Sequence, residues 1–463
     1  MGLEKVPGRD TTYWLISYDG SGSERPERDG SASGRAVEDI SRSRATDVVV
    51  LSHGWQGDVP AARRQYNDWI SEMLDHDDRA ASLREREGGF SAVVIGLHWP
   101  SKAWGDEELG SGGYAVAAEE SGAPTASLAT EKPLDQDGEP LVPENLVAQF
   151  AERLEDNERI RAAIRTLLEA AVRDPAPRRL PEETVAAYTE LDGQLRSKAD
   201  GNGAAPGDDR ERFDAESMYQ ACRLAQSTSF GGASLGGLLA PLRVLTFWHM
   251  KRKANRFGES GAASLLDAIQ DAVPRVRIHL MGHSFGCIVA TSALAGPRSR
   301  PRRAPVSSLT LMQGAMSLWS FSPSIPVDPG REGYFRRVID DGLVLGPILS
   351  SQSYYDRAVR TFYSIAASMA KQVEYPLSRS VELPKYGGLG TWGIQGLEIA
   401  AEPRVLESGQ QPDLRLAPGQ VINLDATSVI AHGSGPSGAH SDICHPEVAD
   451  AVWQAIVCGS LTS

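Results

Sequence analysis

The 463-residue chain carries 61 acidic side chains against 47 Lys and Arg, a formal net charge of −14, with 41% apolar residues. That apolar share supports a real core, and the length suits two or three domains or one domain with a large insertion. The charge excludes nucleic acid and anionic membrane surfaces as main partners. Four widely spaced cysteines, Cys222, Cys287, Cys444 and Cys458, contain no C-x-x-C. They form neither a disulfide framework nor a zinc pattern and fit a reducing, cytoplasmic setting. The first ten residues lack an apolar h-region, and no run of about eighteen apolar residues occurs, so neither a signal peptide nor a membrane span is expected.

In chain order, Thr12 to Tyr18 reads as a strand, and the Ser/Gly/Arg-rich stretch up to about Ala45 as a surface loop. Asp47 to Leu51 is a continuous apolar run, as a buried parallel strand should be, and leads into Ser52-His-Gly-Trp-Gln56. Asp58 caps a helix with Pro60 in its first turn, and Tyr66, Trp69, Ile70, Met73 and Leu74 make one apolar face. Phe90 to Trp99 is another buried strand. From about Lys102 to Pro140 the sequence is acidic and Gly-rich, without a period. Helical patterns follow over 143–171, 181–196 and 212–226, interrupted by a linker composition at 199–207 and a Gly-rich hinge at 231–237. The α/β alternation resumes at Pro241 with a helix to Arg256 and a second one capped by Ser260. Strands are expected from about Pro274 into Gly282, and at Val306–Met312, Leu343–Leu349 and Val421–Leu424, with a last helix from Pro446. Two basic clusters, Lys251-Arg-Lys253 and Arg298 to Arg303, read as solvated. The expected organisation is an α/β core formed by 1–101 and 241–463, with a mainly helical insertion at 102–240.

The chemistry gathers at Gly282-His-Ser-Phe-Gly286. This is a G-x-S-x-G with a strand before it and a helix after it, the context in which the motif places a serine hydroxyl on a sharp turn above a sheet. Serine needs a base, and the base needs an acid to hold it. Three histidines follow near the end of the chain. His440, in the small-residue loop Ser437 to Ile443, is the first candidate base; His445 comes second and His432 third. Asp356, beyond the strand after next, is the first candidate acid, and Asp425 the second. A developing oxyanion needs two N–H donors: Phe285 supplies one, and Trp55, or else Gln56, supplies the other. Trp319 and Phe321 could line a substrate site or lie in the core. His440, Asp442, Cys444 and His445 are spaced awkwardly for a chelate, so no metal is expected.

Val50-Leu-Ser-His-Gly-Trp55 together with Gly282-His-Ser-Phe-Gly286 resembles the α/β-hydrolase superfamily of serine esterases and lipases. The resemblance implies an eight-stranded, mostly parallel sheet, an acyl-enzyme mechanism without metal or other cofactor, and a small-molecule or lipid-like ester as substrate class. Amide cleavage or acyl transfer by the same residues, and a non-catalytic binding protein of this fold, are the alternatives.

Overall fold

The computed structural model describes residues 2–55, 58–76, 78–85, 89–101, 142–152, 154–196, 202–226, 237–295, 304–366, 383–398, 403–434 and 437–461. Nine strands run through them: β1 (Leu3–Lys5), β2 (Thr12–Ser17), β3 (Asp47–Ser52), β4 (Ala92–His98), β5 (Arg277–His283), β6 (Ser308–Met312), β7 (Ile348–Gln352), β8 (Arg404–Val405) and β9 (Val421–Asp425). They form one sheet in the order β1-β2-β4-β3-β5-β6-β7-β9-β8. Only β1 pairs antiparallel. The resemblance implied eight strands. The two shortest, β1 and β8, lie at the two edges, where two or three residues cannot show a period.

Apolar runs make central strands because both faces are covered. Val48, Val50, Ile278, Leu280 and Leu309 enter one core with the helices Ala240–Phe257 and Phe285–Ala295. Leu51, Met281, Leu349 and Ile422 enter a second with the helices Val59–Asp75 and Pro446–Ser460. Asp58 Oδ1 accepts from Ala61 N at 2.7 Å and caps the first helix of this second layer. The helices Glu144–Glu152, Glu158–Arg173, Glu182–Leu195 and Ala215–Gln226 build a third core around Phe150, Leu167, Tyr188 and Tyr219. Leu242 and Leu245 of the 240–257 helix close that core, while Phe247 and Trp248 of the same helix face the sheet. Among the described residues no helix is long and apolar enough to cross a membrane.

Five local expectations are corrected. The stretch read as a loop before Ala45 contains a helix, Ala32–Ser43, capped by Ser31. Its buried stripe is Ala32, Ala36 and Ile40, too slight an apolar signal among polar residues. The strand expected at 343–349 starts at Ile348, because Gly346-Pro347 breaks the run. Ser260 caps nothing. Its hydroxyl donates to Arg256 O at 2.7 Å, inside a rod that passes through one π-helical turn, Gly258–Ala262, into the helix Ala263–Ala272. The described part of the supposed linker is packed, with positions 204–207 buried. Lys251 and Arg252 are buried, not solvated. The 231–236 part of the hinge, the 102–140 stretch, Gln56 and Arg298 to Arg303 lie outside the described residues.

Arg277 and His279 look out of place in a central strand. Both meet Asp47, which opens β3 beside them. Arg277 Nε and Nη2 each lie 2.8 Å from its carboxylate, and His279 Nε2 lies 3.1 Å away. Ser460 of the last helix also donates to it, at 3.1 Å. Burial pushes this carboxyl up, but the Arg277, His279 and Thr46 donors outweigh it and hold the group well below the usual carboxylate range. A depressed acid stabilises the fold above its unfolded value, about 3.9, and loses that contribution as pH falls toward the folded one. Asp47→Asn is therefore expected to cost about 1–3 kcal/mol at pH 7, discounted because the Arg277 side chain is 22% exposed. In urea titrations the gap from the unsubstituted chain should narrow below about pH 4; a gap that is constant with pH would remove this account.

Candidate active site

In open parallel sheets, ligands bind beyond the carboxyl ends of the strands, where neighbouring connections leave in opposite directions. That point here lies between β3 and β5. β3 connects through the Val59–Asp75 helix to β4 on one side, and β5 connects through Phe285–Ala295 to β6 on the other. Ser284 stands at this point, in the left-handed region (φ 57°) and 5% exposed. Its N–H donates to Met312 O at 3.0 Å. The glycines on either side are needed for space: a Cβ at Gly282 would lie 2.3 Å from Gly286 O, and one at Gly286 would lie 2.0 Å from Ser52 O. The N–H of Phe285 belongs to the first turn of its helix, where no intrahelical acceptor exists.

The loop after β3 presses on the same serine. A Cβ on Gly54 would meet Ser284 Cβ at 2.7 Å and its Oγ at 3.2 Å. The loop is held from below. His53 N–H donates to Tyr66 Oη at 2.9 Å, and Trp99 Nε1 donates to His53 O at 3.3 Å. His53 Nδ1 donates to Gly54 O at 2.9 Å, which leaves Nε2 to accept from His98 Nδ1 at 3.1 Å. Trp55, Phe247 and Phe285 pack together beside the elbow, with ring centroids 5.0–5.9 Å apart.

His440 Nδ1 lies 2.8 Å from Asp356 Oδ2. The carboxylate is fully buried and the imidazole side chain is 12% exposed. Two antiparallel segments bring them together: Asp356 bridges to Gly438, and Ala439 N donates to Tyr355 O at 2.9 Å. Asp356 Oδ1 also accepts from Val359 N at 3.0 Å, so the same residue caps the helix Arg357–Ala366. Asp425, the second candidate, instead accepts from Thr427 N at 3.0 Å and closes a turn. His445 stands 2.9 Å from Asp442 at the start of the last helix, and the His432 side chain is 84% exposed.

His283 joins the two halves, a role that its place inside the motif does not reveal. Its Nε2 donates to His440 O at 2.8 Å and its Nδ1 accepts from Gln65 Nε2 at 3.0 Å. Burial, with the adjacent His440 second, pushes its pKa down to about 3, so it stays neutral with a fixed tautomer. The His283 and His440 ring centroids are 4.9 Å apart. Ser284 Oγ itself makes no hydrogen bond to His440 in this structure; without substrate, such contacts are often long and tighten only in the complex.

No family model, curated protein or solved structure matches this chain.

The site's chemistry therefore rests on its own geometry. A strained serine, an imidazole bonded to a buried carboxylate and a tight backbone loop gather beyond the carboxyl ends of the central strands. Trp319 and Phe321 are both buried in aromatic packing. Phe321 is fully buried against Phe335, and Trp319 sits in a satellite cluster with Leu318, Ile325 and Trp392, its Nε1 donating to Lys385 O at 3.0 Å.

Proposed function

We propose that the chain is a serine hydrolase of the α/β-hydrolase fold that cleaves a carboxylic ester through an acyl-enzyme intermediate. The observation that carries it is the buried left-handed Ser284 beside an Asp356–His440 pair bonded at 2.8 Å. The layout supports it. The serine follows β5, and the tight loop follows β3 and precedes a helix, which is where this fold builds its oxyanion donors. In this reading His440 Nε2 takes the Ser284 proton as Oγ attacks the ester carbonyl, while Asp356 holds Nδ1–H and the imidazolium that forms. The N–H groups of Phe285 and Trp55 face the tetrahedral oxyanion. His440 then returns the proton to the leaving alkoxide, and water, activated by the same base, releases the acid. The described helices between 142 and 226 are read as an insertion into the core, and the cysteine spacing fits a reducing, cytoplasmic setting.

A fluorophosphonate probe tests the nucleophile. The unsubstituted chain is expected to be labelled on Ser284, and Ser284→Ala to remain folded and unlabelled. Labelling that persists in Ser284→Ala, or a folded unsubstituted chain that takes no label, would remove the reading.

A further inference from the structure

Among the described residues, five non-glycine positions have positive φ. Arg44, Glu155 and Arg415 are surface or partly exposed positions; Ser284 and Gln313 are buried. The two buried ones follow paired residues, His283 and Met312, at the ends of neighbouring strands β5 and β6. A strained backbone of this kind costs on the order of 1–3 kcal/mol and persists where the surroundings over-determine it. At Gln313 (φ 46°) the backbone N–H and both ends of the side-chain amide are engaged. Its backbone N–H donates to Ser351 Oγ at 2.9 Å, and the Ser351 hydroxyl donates to its Oε1 at 2.9 Å. That fixes the amide so that Nε2 points the other way, to Asp356 Oδ2 at 3.1 Å and Gly390 O at 3.4 Å. Oδ2 is the oxygen that also receives His440 Nδ1. Gln313 is fully buried, and so is Asp356.

We infer that Gln313 is the positioning residue of the proposed acid–base pair: a neutral donor that fixes Asp356 Oδ2 on His440 and keeps a second negative charge away from it. The inference rests on the serine-hydrolase reading for its catalytic meaning, but the geometry it uses can be read without turnover. Only a donor suits this position. A carboxylate only accepts, so an apolar side chain leaves Oδ2 one bond short, and a second carboxylate at about 3 Å cannot ionise freely beside the first. When it does ionise, its charge favours the imidazolium form of His440.

The experiment is a pH titration of Gln313→Glu and Gln313→Met, read by the NMR shifts of the His440 imidazole and by the rate of fluorophosphonate labelling. Gln313→Glu, where its added carboxyl ionises, is expected to move the acid limb of the labelling rate upward by about one pH unit or more. Gln313→Met is expected to label about tenfold more slowly at every pH, with the probe concentration for half-maximal rate unchanged. A folded Gln313→Glu whose acid limb stays where it was, together with a folded Gln313→Met that labels at the unsubstituted rate, overturns the inference. If either variant does not fold, the unsubstituted chain still decides: the Gln313 Nε2 hydrogens must shift as His440 titrates, and indifference to that titration overturns it as well. An unsubstituted chain that takes no label while Gln313→Glu still moves His440 counts against the hydrolase reading and leaves the positioning role standing.

Discussion

Asp356→Asn is expected to lower turnover of a short-chain nitrophenyl ester by about 10⁴ while leaving the chain folded. The reason is the number of donors around this carboxylate. Oδ2 accepts from His440 Nδ1 and Gln313 Nε2, and Oδ1 accepts from Val359 N. Whichever way an asparagine turns, its NH₂ faces a donor. Facing His440, it forces the imidazole into the tautomer whose Nε2 carries the proton and cannot take one from Ser284. Facing Val359, it gives up the helix cap. Asp425→Asn is the control. That side chain closes a turn through Thr427 N, 3.0 Å away, so turnover should change by no more than about twofold. An Asp356→Asn enzyme that retains a tenth of its activity, or an Asp425→Asn enzyme that falls as far, would break the Asp356 role.

The second large effect concerns stability. Lys251 ends its side chain between the rings of Trp248 and Tyr363, 4.6 and 4.4 Å from their centroids. Its Nζ donates to Asp209 Oδ2 and to Tyr363 Oη, and the Tyr363 hydroxyl donates to the same carboxylate at 2.6 Å. Both side chains of the ion pair are 0% exposed. The pair ties the 202–210 turn and the Arg357–Ala366 helix to the helix whose Phe247 packs on Phe285. Asp209→Asn leaves an ammonium buried without its counter-charge and is expected to cost about 3–5 kcal/mol in urea unfolding at pH 7. Burial already lowers the Lys251 pKa, opposed by Asp209, so removing that carboxylate lowers it further. A cation whose folded pKa lies below its free value, about 10.4, is penalised most at low pH, and folding strengthens as pH rises toward that value. The deficit should therefore be smaller at pH 10 than at pH 7. Asp209→Asn with Lys251→Met should recover most of it, because no unpaired charge is then left buried. A single-variant cost under about 1 kcal/mol would contradict the buried-pair account.

These two predictions differ in how much of their basis can be read along the chain. Gly282 to Gly286 after an apolar run, His53-Gly54 after another, and the cap at Asp58 are local patterns. Each is set by neighbours a few residues apart, through turn sterics, side-chain period and the unpaired N–H groups of a helix start. They located the elbow and the loop after β3, and the small-residue loop of His440 marked which histidine to examine. The Ala32–Ser43 helix escaped because its stripe is two alanines and an isoleucine among polar residues. The 199–207 stretch escaped because Gly, Ala, Pro and Asp make linkers and tight packed turns alike.

The sequence by itself determined the alternating strands and helices, the elbow at Ser284 and the chain order of its candidate partners. All of these follow from the conformational preferences of adjacent residues. Only the tertiary structure decided that His440 meets Asp356 and not Asp425, that Gln313 shares the same carboxylate oxygen, and that Lys251 is buried on Asp209. Those contacts join residues 84, 43 and 42 positions apart. Which of several like side chains arrives is set by strand register and helix packing, and a buried charge or amide settles on whatever partner that geometry delivers.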